Sequence, residues 1–363
     1  TAPRRVARAK LEGDSQVFRE GTNLGETPSG GGLSTYKELC SLANEMGKPD
    51  MVYQFMELAH YQRMITSTRA ASFGVMGIVG EASAAIEPHL PTLVPKLFRL
   101  QFDPNAGVAD AVSSIWQALL PEPRKAVDAY FGAIMRELLR ELGSRQWRSR
   151  EASANALSDL LQGRRWPELK EHLGECWEMA LRGIDDIKET VRTAASTLCK
   201  TLVSVSTRLC DAEQTAASEA TEATAVVLPL LMEKGIPSPV ADVRALAVGV
   251  VAKVVRAASA AQVRPLVTGV LTSLLESLSS LEDSRLSYIE QHAASAGISQ
   301  DRLEGIRVSA SKGTAMSDAV ESCLRHVDAE LLPEVTASLA SLAKSGVGLN
   351  TRTGVAPGRS QAP

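Results

Sequence analysis

Five segments of this chain carry one seven-position apolar pattern, starting at Thr68, Val108, Ser149, Val191 and Val243. The positions i, i+3, i+4, i+7, i+8, i+11 and i+12 mark one face of an α-helix for more than three turns. Val108, Ala111, Val112, Ile115, Trp116, Leu119 and Leu120 fill it completely, as do the copies that start at Val191 and Val243. Across the five copies 30 of 35 positions are apolar, against 44% for the whole chain. Successive starts are 40, 41, 42 and 52 residues apart. A repeat of that length with one buried helix per copy predicts an all-α fold, a superhelical stack of antiparallel helix pairs known as an α-solenoid. A helix of ~14 residues is about 21 Å long. It cannot bury its stripe alone, so the helices stacked on it must do so. A fold of this kind presents a long surface for holding partners rather than a pocket for chemistry.

Composition narrows the partners. The 363 residues carry a net charge of −3, which argues against nucleic acid, since phosphate neutralisation needs a large basic surface. Aromatics are only 4%, so small aliphatic side chains do the packing. The five cysteines, Cys40, Cys176, Cys199, Cys210 and Cys323, form no CxxC pair, and several lie on apolar helix faces. They read as reduced core thiols in a cytosolic or nuclear protein. No apolar run approaches the ~18 residues that a membrane-spanning helix needs. The basic start (Arg4, Arg5, Arg8, Lys10) is not followed by an apolar segment, so it is not a secretory signal. The chain begins at Thr1 rather than Met and is read as a processed product or a piece of a longer protein.

Residues 1–33 are polar and end in a Pro-Ser-Gly-Gly-Gly run, which predicts a flexible arm. Helical patterning begins at Ser34, breaks at Gly47-Lys48-Pro49-Asp50 and resumes over 50–61 and 64–80. Outer helices are expected near 89–101, 125–142, 168–182, 223–234 and 263–280, with the patterned inner helices after the first four. Turns fall at Pro88 and Pro91, Asp103-Pro104-Asn105, Pro121 and Pro123, Gly163, Pro167, and Pro237 and Pro239. The 52-residue step holds a polar stretch over 211–224, a loop or a helix extension. The solenoid spans 34–345, about six to seven repeats, irregular after 281. Residues 286–296 and 301–325 look helical, 329–344 looks like an outer helix, and 346–363 is a disordered tail.

Arg69, Arg150, Arg192 and Arg244 each follow a pattern start, at the N-terminal turn of an inner helix. The helix dipole favours anions there, so a repeated Arg implies a partner. Asp103 and Asp186 lie six residues before Ala109 and Arg192, while Ser144 and Ser238 stand at the matching places. The arrangement resembles the Asp/Arg ladder of HEAT repeats, in which the Asp of one repeat meets the Arg of the next. The structural reading of these arginines is preferred to direct partner binding. Arg136, Arg140, Arg145, Arg148, Arg164 and Arg165 lie in one acid-interleaved stretch. That stretch is a solvated rim or, as the sharper reading, a docking site for an acidic protein surface. Trp147 and Trp166 flank the inner helix between them, as core plugs or as exposed anchors.

No catalytic, cofactor or metal site is expected. Ser309–Lys312 and Ser341–Lys344 match SxxK, but a serine acyl-transferase site needs such groups converging on a β-sheet, and no strand pattern exists. His172 and Cys176 are one helical turn apart without further ligands nearby, whereas zinc needs three or four. Gly74, Gly77 and Gly80 lie within a patterned helix and read as a close helix–helix approach rather than a phosphate loop.

A more specific likeness emerges in order along the chain. Ser34-Thr35-Tyr36-Lys37-Glu38-Leu39-Cys40 leads into Pro49–Met56, then Gln101-Phe102-Asp103-Pro104-Asn105, Ser114-Ile115-Trp116 and Trp147-Arg148-Ser149-Arg150-Glu151. Asp185–Arg192, Val243-Arg244-Ala245-Leu246 and Lys344–Leu349 follow. This series resembles the proteasome adapter and scaffold family, very large HEAT-repeat proteins, over roughly residues 33–354. The resemblance implies a non-catalytic adapter that bridges the core and regulatory particles of the proteasome. It also implies links to endosomal, endoplasmic-reticulum or motor proteins, with no nucleic acid and no membrane insertion. The expected location is cytoplasmic and nuclear, peripheral to endosomes or endoplasmic reticulum. The other classes weighed are a karyopherin-like transport adapter, a regulatory scaffold of a phosphatase or kinase complex and, last, a hydrolase.

Overall fold

The computed structural model describes residues 89–120, 122–277 and 315–345, with Ala43 and Gly47 as isolated positions. The expected arm 1–33, the helices at 50–61 and 64–80, the repeat that carries Arg69, the segment 286–296 and the tail 346–363 lie outside the described residues. Among the described residues there are helices and turns but no β-strand. The chain divides into two compact units, Thr1–Asp159 and Leu160–Pro363.

In the first unit α1 (Leu90–Leu100) pairs with α2 (Ala106–Leu119). The helix α3 (Pro123–Ala129) leads through Tyr130 into α4 (Phe131–Leu142), which lies beside α1 in the outer layer. The inner helix α5 (Trp147–Leu160) follows. Asn105 caps α2, its side-chain oxygen accepting from Gly107 N–H at 3.0 Å and Val108 N–H at 3.4 Å. Phe98 of α1 meets Trp116 of α2 with ring centroids 5.9 Å apart, a tilted aromatic pair inside the α1–α2 seam.

The second unit opens at a turn where Gly163 has φ +73°, a left-handed conformation that costs glycine nothing. Short α6 (Trp166–Leu169) precedes outer α7 (Leu173–Ile184), which packs on inner α8 (Glu189–Cys210). Outer α9 (Ala217–Leu230) runs into a π turn at Leu231–Gly235 and pairs with inner α10 (Ala241–Ala257). After short α11 (Ala260–Val263) comes outer α12 (Val267–Ser277). Inner α13 (Ala315–Leu324) packs on both α10 and α12, and outer α14 (Leu332–Ser345) packs on α12. Inner helices thus touch inner neighbours and outer helices touch outer neighbours, which is stacking of helix pairs. The 52-residue step arises because α8 runs 22 residues and α9 starts at Ala217, so most of 211–224 is helix extension and only 211–216 is connector.

The apolar pattern is the buried stripe. All seven positions from Val108 and all seven from Ser149 are buried, including Ser149 and Ser153. Six of seven are buried from Val191 and six of seven from Val243, with Val203 and Leu246 half-covered. In α8 the buried stripe continues through Val205, Ser206, Leu209 and Cys210, so the helix stays covered for two turns past the pattern. Trp177 is fully buried and donates its indole N–H to the Ser206 hydroxyl at 2.9 Å, so its one polar atom is satisfied.

Two outer helices approach their partners through glycine. A Cβ built on Gly183 would lie 2.8 Å from the Ala195 Cβ, and one on Gly235 would lie 2.5 Å from the Ala247 Cβ. Both glycines stand eight residues before a pattern start, and both alanines four residues after it. A Gly-to-Ala change in a helix gains stability from backbone entropy of about 0.5–1 kcal/mol. Here the neighbouring methyl has nowhere to swing, so overpacking wins. Gly235→Ala is expected to destabilise the chain by about 1–3 kcal/mol in urea unfolding, and Ala247→Gly in the same chain should recover part of that loss.

Candidate interaction surface

The repeat turns obey one rule. In all four described turns the side chain five residues before the pattern start accepts from the N–H two residues on. Asp103 accepts from Asn105 at 2.8 Å, Ser144 from Gln146 at 3.3 Å, Asp186 from Lys188 at 2.9 Å and Ser238 from Val240 at 3.2 Å. Aspartate and serine therefore do the same work, closing the turn as Asx and ST turns. The arginine after the start then locks the turn from the helix side. Arg150 Nη1 donates to the carbonyls of Ser144 (3.0 Å) and Arg145 (3.1 Å). Arg192 Nη1 donates to Asp186 (2.9 Å) and Ile187 (3.1 Å). Arg244 Nη1 donates to Ser238 (2.7 Å) and Pro239 (2.8 Å).

This accounts for a cation at a helix N-terminus. The guanidinium is held by carbonyl dipoles of the preceding turn, which offset the unfavourable helix dipole. Arg150, Arg192 and Arg244 each thus contact the carbonyls of their own turn. An Asp-to-Arg bridge between successive repeats runs from Asp103 to Arg148, at 2.7 Å, two residues short of Arg150. Ala109 stands where the first described repeat lacks an arginine, and there Asn105 caps the helix instead.

Arg136, Arg140, Arg145 and Arg148 belong to the first unit, and Arg164 and Arg165 to the second. Arg136 is exposed and its Nε donates to the Gly132 carbonyl at 3.1 Å. Arg140 pairs with Glu137 (2.5 Å) and Glu141 (3.2 Å). Arg145 and Arg165 are exposed. Arg164 pairs with Glu168 at 2.8 Å, and its carbonyl accepts from Arg208 at 2.5 Å. Within the first unit lies a buried charge that the sequence pattern does not reveal. Buried Arg99 donates to buried Glu137 at 3.4 Å and to Ser149 Oγ at 3.5 Å, tying α1 to α4 and α5. The Glu137 carboxyl is thus bridged by two guanidiniums, those of Arg99 and Arg140.

The tryptophans differ. Trp166 is buried and donates to Glu222 at 2.7 Å, so the N-terminal turns of α9 cover it, while Trp147 is half-buried. Gln262 is buried, accepts from Ser259 N–H at 2.6 Å, and donates to the Cys210 carbonyl at 3.2 Å, which ties α11 to the end of α8. Ser341 and Lys344 lie together on α14, while Ser309 and Lys312 lie outside the described residues. His172 stands at the N-cap of α7 and Cys176 is fully buried within it. Among the described residues no group of three or more His, Cys, Asp or Glu is gathered to hold a metal, and no helix is long and apolar enough to cross a membrane.

The paired layers of antiparallel helices define an all-α repeat protein of the HEAT-type α-solenoid class. The HEAT-repeat domain model of proteasome adapter and scaffold protein ECM29 matches residues 263–357. Proteasome adapter and scaffold protein ECM29 from Homo sapiens is 42% identical over 347 residues, covering 96% of this chain and 18% of that protein. Proteasome-associated protein ECM29 homolog from Drosophila melanogaster is 29% identical, covering 96% of this chain and 19% of its own length. Proteasome component ECM29 from Saccharomyces cerevisiae is 28% identical, with 93% and 18% covered. The chain belongs to this proteasome adapter and scaffold family, and it spans about a fifth of the length of the curated relatives it matches. Among solved structures, a designed armadillo repeat protein is similar at 13% identity and a TM-score of 0.33, covering 74% of this chain and 99% of that one.

Two expectations follow from the turns and the thiols. Arg244→Met should lower unfolding stability by about 1–2 kcal/mol, and Ser238→Ala by about 1. The double variant should lose less than the sum, because both act on one turn, as a urea double-mutant cycle would show. Burial pushes the Cys176, Cys199 and Cys323 thiols up to about 12 and Cys210 up to about 11. Folded thiols keep protons that the unfolded chain sheds near 9.0, so this contribution is complete below about pH 9 and fades as pH climbs towards 12. At pH 8 these four cysteines should resist a thiol-labelling disulfide reagent in the folded chain and label fully in denaturant, as read by peptide mass spectrometry.

Proposed function

We propose that this chain is a non-catalytic docking segment of a proteasome adapter and scaffold. It binds the core and regulatory particles and steadies or remodels their association. The observation that carries this reading is the 42% identity, maintained over 96% of the chain, with the human protein named as a proteasome adapter and scaffold. The architecture supports it. Stacked helix pairs present separate turns and helix faces, so affinity accumulates from several modest contacts by multivalency. The exposed Arg136, Arg145 and Arg165 offer guanidiniums to acidic partner surfaces, and such contacts would weaken with salt. In this reading the protein works in the cytoplasm and nucleus and also holds endosomal, endoplasmic-reticulum or motor proteins.

The test is affinity purification of the tagged chain from cell extract with ATP present, followed by mass spectrometry. Core and regulatory proteasome subunits are expected in near-matching amounts. Their clean absence, with cargo or coat proteins in their place, would overturn the reading.

A further inference from the structure

Among the described residues one large apolar side chain stands wholly in solvent: Ile187, 99% exposed, at the tip of the turn between α7 and α8. The fold does not require it. The lock on this turn uses only the backbone, since Arg192 takes the carbonyls of Asp186 and Ile187. At the equivalent places of the other described turns stand Pro104, Arg145 and Pro239, and the turns with Arg145 and Pro239 close with the same carbonyl contacts. The isoleucine side chain therefore contributes nothing to the turn that other side chains do not supply.

Its backbone is nonetheless fixed on both sides. The Asp186 carboxylate holds Lys188 N–H at 2.9 Å, and Arg192 holds the two carbonyls. A side chain on a clamped backbone gives up little freedom when it is buried, which is what makes an efficient anchor. The surroundings specify its socket. Asp185 and Glu189 are exposed on either side, and with Asp186 they outnumber Lys188 and Arg192 by one, so the tip is apolar with a net negative rim.

We propose that Ile187 is a rigid apolar anchor that seats in an apolar socket rimmed by Lys or Arg on a protein partner. The inference rests on the adapter reading only in requiring a protein partner. Because the side chain is fully exposed, replacing it leaves the fold intact, and Ile187→Ser should melt with the parent chain.

The experiment places a photo-crosslinking p-benzoylphenylalanine at 187 in the whole chain expressed in cells, with the same group at exposed Lys200 as control. Adducts are mapped by mass spectrometry, and affinity for the partner found is then measured for the parent and Ile187→Ser chains. The expected result is an adduct in an apolar pocket with basic residues at its rim and a loss of about 10–100-fold in affinity for Ile187→Ser. No adduct beyond the Lys200 level, an adduct on an acidic or wholly polar surface, or affinity within about 2-fold of the parent would each overturn the anchor. A mapped socket on a proteasome subunit supports both the anchor and the proposed function. A mapped socket on a protein outside the proteasome supports the anchor while counting against the function. Proteasome recovery without an adduct at 187 overturns the anchor alone.

Discussion

The described helices depend on removing narrow stripes of small apolar side chains from water between neighbours that come very close. Valine, leucine and alanine make up most of those stripes, and valine and alanine each bury less area than leucine or phenylalanine would. Such residues compensate only if the helices approach until the small groups touch, since gaps forfeit dispersion contacts. Gly183 against Ala195 and Gly235 against Ala247 are the places where that approach is tightest. The four buried thiols belong to the same economy of volume, filling the stripes as small hydrophobes.

Close stacking leaves little room for charge, and the chain places its charges accordingly. The guanidiniums of Arg150, Arg192 and Arg244 sit over the turns, where carbonyls are abundant and water is near. Arg99 and Glu137 are buried instead, and there Arg140 and Ser149 supply further hydrogen bonds. Removing either buried partner would strand the other, which makes this pair a fastening between successive outer helices rather than a source of surplus stability.

The pattern of seven positions was enough to find four described inner helices and their buried faces, because one stripe held for three turns has few other interpretations. The two serines in the Ser149 copy are buried with the rest, so position along the stripe outweighs residue type. Arginine at the second position was visible, but its role was not. Asp103 and Asp186 are legible as repeat positions, and the turns add that Ser144 and Ser238 at the matching places cap the same N–H. Arg99 was hidden because it follows a leucine-rich outer helix with nothing local to reveal Glu137, 38 residues away. The break at Tyr130 and the helical start at Ala217 fall where propensity is indifferent and neighbours decide. Inner α13 escaped the pattern because 73 residues separate buried Met316 from Val243. Ile187 stands in the sequence as part of the family-like run Asp185–Arg192, and its exposure follows from the turn geometry alone.

The π turn after α9 bears on which changes of length the chain tolerates. Pro229 interrupts the hydrogen-bond ladder, and Ile236 N–H then bonds the Leu231 carbonyl at 2.8 Å, five residues back rather than four. One residue is thereby absorbed without displacing the helices beyond. Deleting a single residue between Pro229 and Gly235 would remove that surplus and restore α-helical winding with the following backbone in phase. A second deletion would turn the following backbone by about 100°, and Gly235 would no longer face Ala247. The connector 211–216 carries no such helical phase, so a change of length there costs loop closure and the turn contacts of Asp211 and Thr215. Reading frames of structure, like those of codons, are thus strict in one part of this repeat and free in another.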